Sequence, residues 1–149
     1  MALHATRKNV NFKLSLKKQI IDNAGSLKVL FDFINDIPKT STVQDTEWVV
    51  VQFGDRLGED LVQQEVFFHL FTHKDIEGDD LAALQDKVMT LFTNTDGSLG
   101  PMTLYNTYTT VWTAIGGVSI FEFNDSTELE DENGIKFKTI TLLFKWNAV

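Results

Sequence analysis

The stretch QEVFFHLFTH, residues 64–73, decides how the rest of the chain is interpreted. Its β-branched and aromatic residues form an unbroken run, which is typical of a β-strand. Apolar residues fall on both faces of this strand, so we expect it to lie centrally in a sheet and to be covered on both sides. The run Trp48–Phe53, bounded by Gly54, predicts a second strand just before it.

Helical patterns precede and follow these two strands. Leu81, Leu84 and Val88 recur at helical spacing and predict an amphipathic helix over residues 80–92, with Asp79 as its N-cap. A short helix is predicted over residues 13–23, ended by Asn23 and Gly25. The run 27–37 fits a helix and a strand equally well, and it ends before Pro38 either way.

Beyond Gly100-Pro101 the pattern is purely that of strands. We expect strands over 105–113, over 118–123 after the break at Gly116-Gly117, and over 135–146. The face of the last strand changes from lysines to apolar residues, which predicts a protruding end or a bulge. These features predict a single α+β domain over residues 1–149, with a mainly antiparallel sheet of about five strands flanked by two helices. Residues 1–12 are either part of it or a flexible basic arm.

Composition excludes several functional classes. The 149 residues carry a formal net charge of −8 and include no cysteine, so disulfides and thiolate metal sites are excluded. No run approaches the roughly 18 apolar residues of a membrane span. The acidity argues against binding nucleic acid by neutralising phosphates. We therefore expect a soluble domain with no membrane partner.

Candidate catalytic and metal-binding residues are few. His69 and His73 share one face of a strand, but four residues span roughly 13 Å, too far to ligate one ion. The acids of residues 75–80 lack the spacing of a calcium loop and suit a helix N-terminus better. No phosphate-binding or nucleophile motif is present. We therefore predict no catalytic residue, cofactor or metal and no enzymatic activity, leaving a pocket enzyme or small-molecule-binding domain using His69 and His73 as a distant alternative.

Charge is segregated along the chain. Between Met1 and Lys28 the net charge is +5, and the remainder carries −13. One interpretation is a solvated basic helix and an unimportant acidic loop; the other is a basic segment on one copy facing an acidic surface on the next. The interface residues predicted on the second interpretation are Arg7, Lys8, Lys13, Lys17 and Lys18 on one side and Glu128, Glu130, Asp131 and Glu132, in a flexible loop or solvated hairpin tip, on the other. The two longest strands, 64–73 and 135–146, are expected to leave exposed edges that pair with a neighbour.

The order and texture of these elements resemble those of phage tail terminator (tail completion) proteins. The resemblance covers roughly residues 14–147 and follows pattern rather than a signature motif. It consists of an N-terminal helix, an Asp36-Ile37-Pro38 exit, a strand reading WVVVQFG over 48–54, an aromatic strand over 66–71, a helix over 80–92 and a final strand over 137–146. The segment 103–113 is longer than this pattern requires.

The resemblance implies a structural virion protein of the tail or neck, assembled in the host cytoplasm. Such proteins form a closed homo-hexameric ring that docks on the last ring of tail tube protein, stops its polymerisation and joins it to neck or head-completion proteins. DNA passes through the lumen without specific binding, and an acidic lining would repel its phosphates. Another head–tail connector or tube-like ring protein is the nearest alternative.

Overall fold

The computed structural model describes residues 8–31, 46–58 and 60–147. Within these ranges, two helices and seven strands follow one another in a single α+β domain. In chain order they are α1 (Lys8–Ala24), β1 (Val29–Leu30), β2 (Glu47–Leu57), β3 (Leu61–His73), α2 (Asp79–Thr90), β4 (Met102–Asn106), β5 (Thr113–Asp125), β6 (Leu129–Glu130) and β7 (Ile135–Asn147). The predicted α+β class with two helices is confirmed, although the sheet has six to seven strands rather than about five.

The sheet has the strand order β1-β2-β3-β7-β5-β4, with the short β6 also paired to β7. All pairs are antiparallel except β1 with β2, which are parallel. The sheet curls into a half-barrel around α1. Phe12 on α1 contacts Phe53 of β2 as well as Phe144 and Trp146 of β7, while the same helix also bonds to β4.

β3 and β7 form the centre of the sheet. They pair over 13 residues in unbroken register, from Leu61 opposite Asn147 to His73 opposite Ile135. β2 flanks β3 on its other side, and β5 flanks β7. The predicted central position of β3 is therefore confirmed. The expectation that these two strands expose their edges is wrong, because each is hydrogen-bonded on both sides; β1 and β4 are the outer strands of the described sheet.

The main core lies between the helices and one face of the sheet. Its fully buried side chains include Leu16 and Ile20 from α1, Leu81, Leu84 and Val88 from α2, and Val66, Phe68, Leu70, Ile140, Leu142 and Phe144 from β3 and β7. A smaller cluster covers part of the opposite face, where Trp48 stacks on Phe71 at 5.2 Å between ring centroids. Farther along that face Phe67 and His69 are only half-buried, so the predicted cover on both sides of β3 is incomplete within the described chain.

Several predicted boundaries are wrong. α1 begins at Lys8, five residues before the predicted start, so residues 8–12 are helical and Phe12, 2% exposed, belongs to the core. The predicted strand 105–113 is divided, since β4 ends at Asn106 and β5 begins at Thr113. Gly116 and Gly117 lie inside β5 because they pair with Leu104 and Thr103. Of the ambiguous run 27–37, Val29–Leu30 forms a strand, and residues 32–37 lie outside the described residues.

The change of face in the last strand does not come from a bulge in β7. A register shift lies in its neighbour β5, between Glu122 and Asn124, and another lies in β2, which pairs with β3, between Phe53 and Arg56. Lys136 and Lys138 face the helix-covered side of the sheet because polar partners lie on that side. The Lys138 ammonium lies 2.7 Å from the Asp125 carboxylate, and Lys136 Nζ donates to the Ile76 carbonyl at 2.8 Å.

Candidate functional site

The basic surface is formed by three lysines of α1. Lys13 Nζ lies 5.8 Å from the centre of the Phe53 ring, and Lys17 Nζ lies 5.4 Å from that of Phe31. Lys18 Nζ is 2.7 Å from Asp22 one helical turn away, with both side chains well exposed. Of the other predicted basic residues, Arg7 and the side chain of Lys8 lie outside the described residues.

Buried polar side chains on the same helix attach it to the outer strand β4. The Ser15 hydroxyl accepts a hydrogen bond from the Tyr105 N–H at 2.9 Å. Asn11 Oδ1 accepts from both the N–H and the hydroxyl of Thr107, at 3.0 and 2.7 Å. Backbone groups that β4 would otherwise offer to another strand are thus bonded to α1. Sequence analysis missed this role, although polar residues at positions 11 and 15 beside Phe12 and Leu16 are an unusual feature on a core-facing stripe.

The acidic hairpin, residues 126–134, is an ordered element that joins β5 to β7. Ser126 and Thr139 exchange two hydrogen bonds, Ser126 N–H to the Thr139 carbonyl at 2.9 Å and Thr139 N–H to the Ser126 hydroxyl at 2.8 Å. Asp131 Oδ1 accepts from the N–H groups of Asn133 and Ile135 at 2.9 and 3.0 Å. The predicted hairpin tip is present and exposed, and local hydrogen bonds define its turn.

The structure places the four predicted acids at different points of this hairpin. A Cβ at Gly78, just before α2, would lie 3.1 Å from a Glu128 carboxylate oxygen, so this carboxylate sits beside the positive end of the helix. Glu130 is in register with Lys136. Asp131 closes the turn, and Glu132 is exposed at its tip.

The basic surface and the acidic hairpin are separate surfaces of the molecule, carried by different elements. Phe12, in the second turn of α1, stacks on Trp146 near the end of β7 with ring centroids 4.1 Å apart. The acidic hairpin enters β7 at Ile135. Lys13 and Lys17 lie beside Phe53 and Phe31, whereas Glu128 lies beside the start of α2 and Glu130 is in register with Lys136 of β7.

A groove runs along α1 beside the loop that joins β4 to β5. This α1 groove has a volume of about 550 Å³ and is lined by Leu14, Lys17, Lys18, Ile21, Asp22, Thr110 and Trp112. Ile21 is 62% exposed, and Val111 in the adjoining loop is 75% exposed. The groove therefore combines an apolar floor with a charged rim, and no single sequence pattern joins its two sides.

Asp75 performs the capping role predicted for Asp79. The residue before α2 is Gly78, which adopts a left-handed conformation and has no side chain that could cap the helix. The buried Asp75 carboxylate accepts instead from the N–H groups of Asp80 and Leu81, at 3.2 and 2.9 Å, and from the Thr72 hydroxyl at 3.1 Å. Burial opposes ionisation, but these hydrogen bonds outweigh it and lower the pKa of Asp75. This acid has a structural role.

His69 forms part of a polar row across three strands. In the neutral ring, Nε2 donates to Gln52 Oε1 at 2.9 Å and Nδ1 accepts from the Thr139 hydroxyl at 2.8 Å. Burial lowers the pKa of His69 from 6.5 to about 4. His73 lies at the end of β3, where its N–H donates to the Thr46 carbonyl. The two histidines are not brought together.

Within residues 8–31, 46–58 and 60–147, no cluster of three or more His, Asp or Glu side chains is arranged to hold a metal ion. Neither of the described helices is long and apolar enough to cross a membrane. No protein-family model and no curated protein matches the sequence.

Proposed function

We propose that this chain is a structural virion protein that assembles into a closed hexameric ring, as phage tail terminators do. In that role the ring caps the tail tube, ends its polymerisation and joins it to the neck or head. The observation that carries the proposal is that one copy presents a basic surface on α1 and a separate acidic hairpin that leads into β7.

Separate surfaces of opposite charge on one chain favour a head-to-tail contact between copies. Such a heterologous contact repeats at every subunit and produces a ring when the rotation closes. The net charge of −8 supports a lumen through which DNA passes without binding, because the summed field repels phosphates. The ring would be assembled in the host cytoplasm and remain in the tail or neck of the virion.

The same contact would serve another head–tail connector or a tube-like ring protein, so the partner distinguishes these roles. A pocket function built on His69 has less support. Gln52 and Thr139 engage both of its ring nitrogens, and burial keeps the ring neutral at pH 7.

Native mass spectrometry and light scattering test the ring. We expect closed oligomers at low ionic strength and weaker association at 1 M salt, where the Debye length falls to about 3 Å. Glu132→Lys reverses a charge at the hairpin tip and should weaken assembly more than Glu122→Lys, which makes the same change on exposed β5. A chain that stays monomeric at high concentration and low salt contradicts the proposal.

Co-assembly with tail tube protein tests the terminator role. Electron microscopy should show that polymerising tubes stop growing and carry this protein at one end. Rings that form normally but leave tube length unchanged would favour the other connector roles.

A further inference from the structure

We propose that the α1 groove is the seat for the acidic hairpin of a second copy, with Leu129 packed against Ile21 and Trp112. This inference rests on the proposed ring and names the contact that builds it.

The groove offers an apolar surface that the described residues of its own copy leave open. Its walls come from two elements, the outward side of α1 and the loop 107–112. The 62% exposure of Ile21 is high for an isoleucine on a helix whose other face is wholly buried. Leu14 and Trp112 continue the same surface, and together they line a volume of about 550 Å³ that exceeds one aliphatic side chain.

The rim of the groove is basic. Lys17 and Lys18 flank the apolar floor. The ion pair between Lys18 and Asp22 is exposed on both sides, so exchanging its partner for another carboxylate costs little. An acidic segment with one apolar side chain fits this combination best.

The acidic hairpin has this composition. Residues 126–134 contain four acids and no basic residue. The one large apolar side chain among them, Leu129, is 56% exposed although it stands in a short strand paired to β7. Because local hydrogen bonds hold the hairpin in shape, it enters a groove with little further loss of conformational entropy.

The hairpin that fills the groove must come from another copy. The loop 107–112 leads into β5 at Thr113, and the hairpin follows β5 after Asp125. The whole of β5, a strand of 13 residues, lies between the two. Each copy therefore carries the loop that lines the α1 groove at one end of β5 and the acidic hairpin at the other. This arrangement gives a head-to-tail contact between identical subunits.

Cysteine cross-linking tests this contact, since the chain has no cysteine of its own. The double variant Leu129→Cys/Ile21→Cys should form disulfides between copies on mild oxidation and produce a ladder on a non-reducing gel. The matched control is Leu129→Cys/Leu57→Cys, in which the second cysteine stands at an equally exposed position outside the groove (Leu57 is 66% exposed). We expect at least about a tenfold faster cross-link in the first pair. Leu129→Ser alone should weaken assembly by about tenfold, because the variant loses the apolar side chain that the contact buries. Its melting curve should stay that of the parent.

The outcomes separate this inference from the ring itself. If the parent protein assembles but the groove pair cross-links no faster than the control, the proposed contact between the hairpin and the α1 groove is wrong, and the ring proposal stands. If Ile21→Asp removes binding to tube protein and leaves the ring intact, the groove serves another partner and the inference is wrong. Cross-linked rings that fail to limit tube length would support the contact and contradict the terminator role. A monomer without cross-links would overturn both.

Discussion

His69 should make the fold markedly less stable in mild acid. In the folded chain burial lowers its pKa from 6.5 to about 4, and in the unfolded chain the ring returns to its ordinary value. Between these two values the unfolded chain binds a proton that the folded chain does not, so the free energy of unfolding falls as the pH falls. The contribution of the neutral ring is fully retained above about pH 6.5 and lost progressively towards pH 4.

The size of this effect follows from the two pKa values. The difference of about 2.5 between the two pKa values corresponds to about 3.4 kcal/mol in the free energy of unfolding. At pH 4.5 about 2.5 kcal/mol of this contribution has been lost. Because the ring is only half-buried, solvent screens part of the charge. We therefore expect a loss of about 1–2 kcal/mol between pH 7.5 and pH 4.5.

Urea unfolding of the parent protein and of His69→Gln at both pH values measures this loss of unfolding free energy. Carboxylates also titrate in this range, but they do so in both proteins, so the difference between the two pH dependences isolates the histidine. His73→Gln, which makes the same replacement at the other histidine of β3, is the matched control. Equal losses in the parent and in His69→Gln would refute the assignment of a neutral, buried ring.

Two further predictions concern the attachment of the helices. Asp75→Ala should lower the free energy of unfolding by about 2–3 kcal/mol in urea, because α2 loses its cap and the Thr72 hydroxyl loses its partner. Asp79→Ala, which removes an exposed first-turn acid, should cost no more than about 1 kcal/mol, and equal costs would contradict the capping assignment. Since its pKa is lowered from 3.8, Asp75 stabilises the fold above that pH and loses this effect as the pH falls through its folded value. Phe12→Ala should cost about 3–5 kcal/mol by the same assay, against less than about 1 kcal/mol for Val10→Ala, which is 40% exposed; a small loss at Phe12 would mean that the first turns of α1 are not docked.

Local patterns predicted which kinds of element occur and in what order. β-branched and aromatic runs indicated β2 and β3, and helical spacing of Leu81, Leu84 and Val88 indicated α2 within two residues of its end. These signals come from neighbours along the chain and need no tertiary information. The same kind of signal failed at Gly116-Gly117, where pairing with β4 holds two glycines inside a strand that local propensity alone would end.

Tertiary structure decided which charged and polar residues meet. Sequence composition separated the basic N-terminal part from the acidic remainder, and this is why an assembly surface could be predicted before the fold was known. It could not show that β3 and β7 have no free edges, because strand order depends on pairing between distant residues. Nor could it assign the capping of α2 to Asp75, the closing of the β4 edge to Ser15, or the α1 groove to residues almost a hundred positions apart. Each of these depends on where the curled sheet brings side chains together, and that geometry is a property of the packed core and not of any one segment.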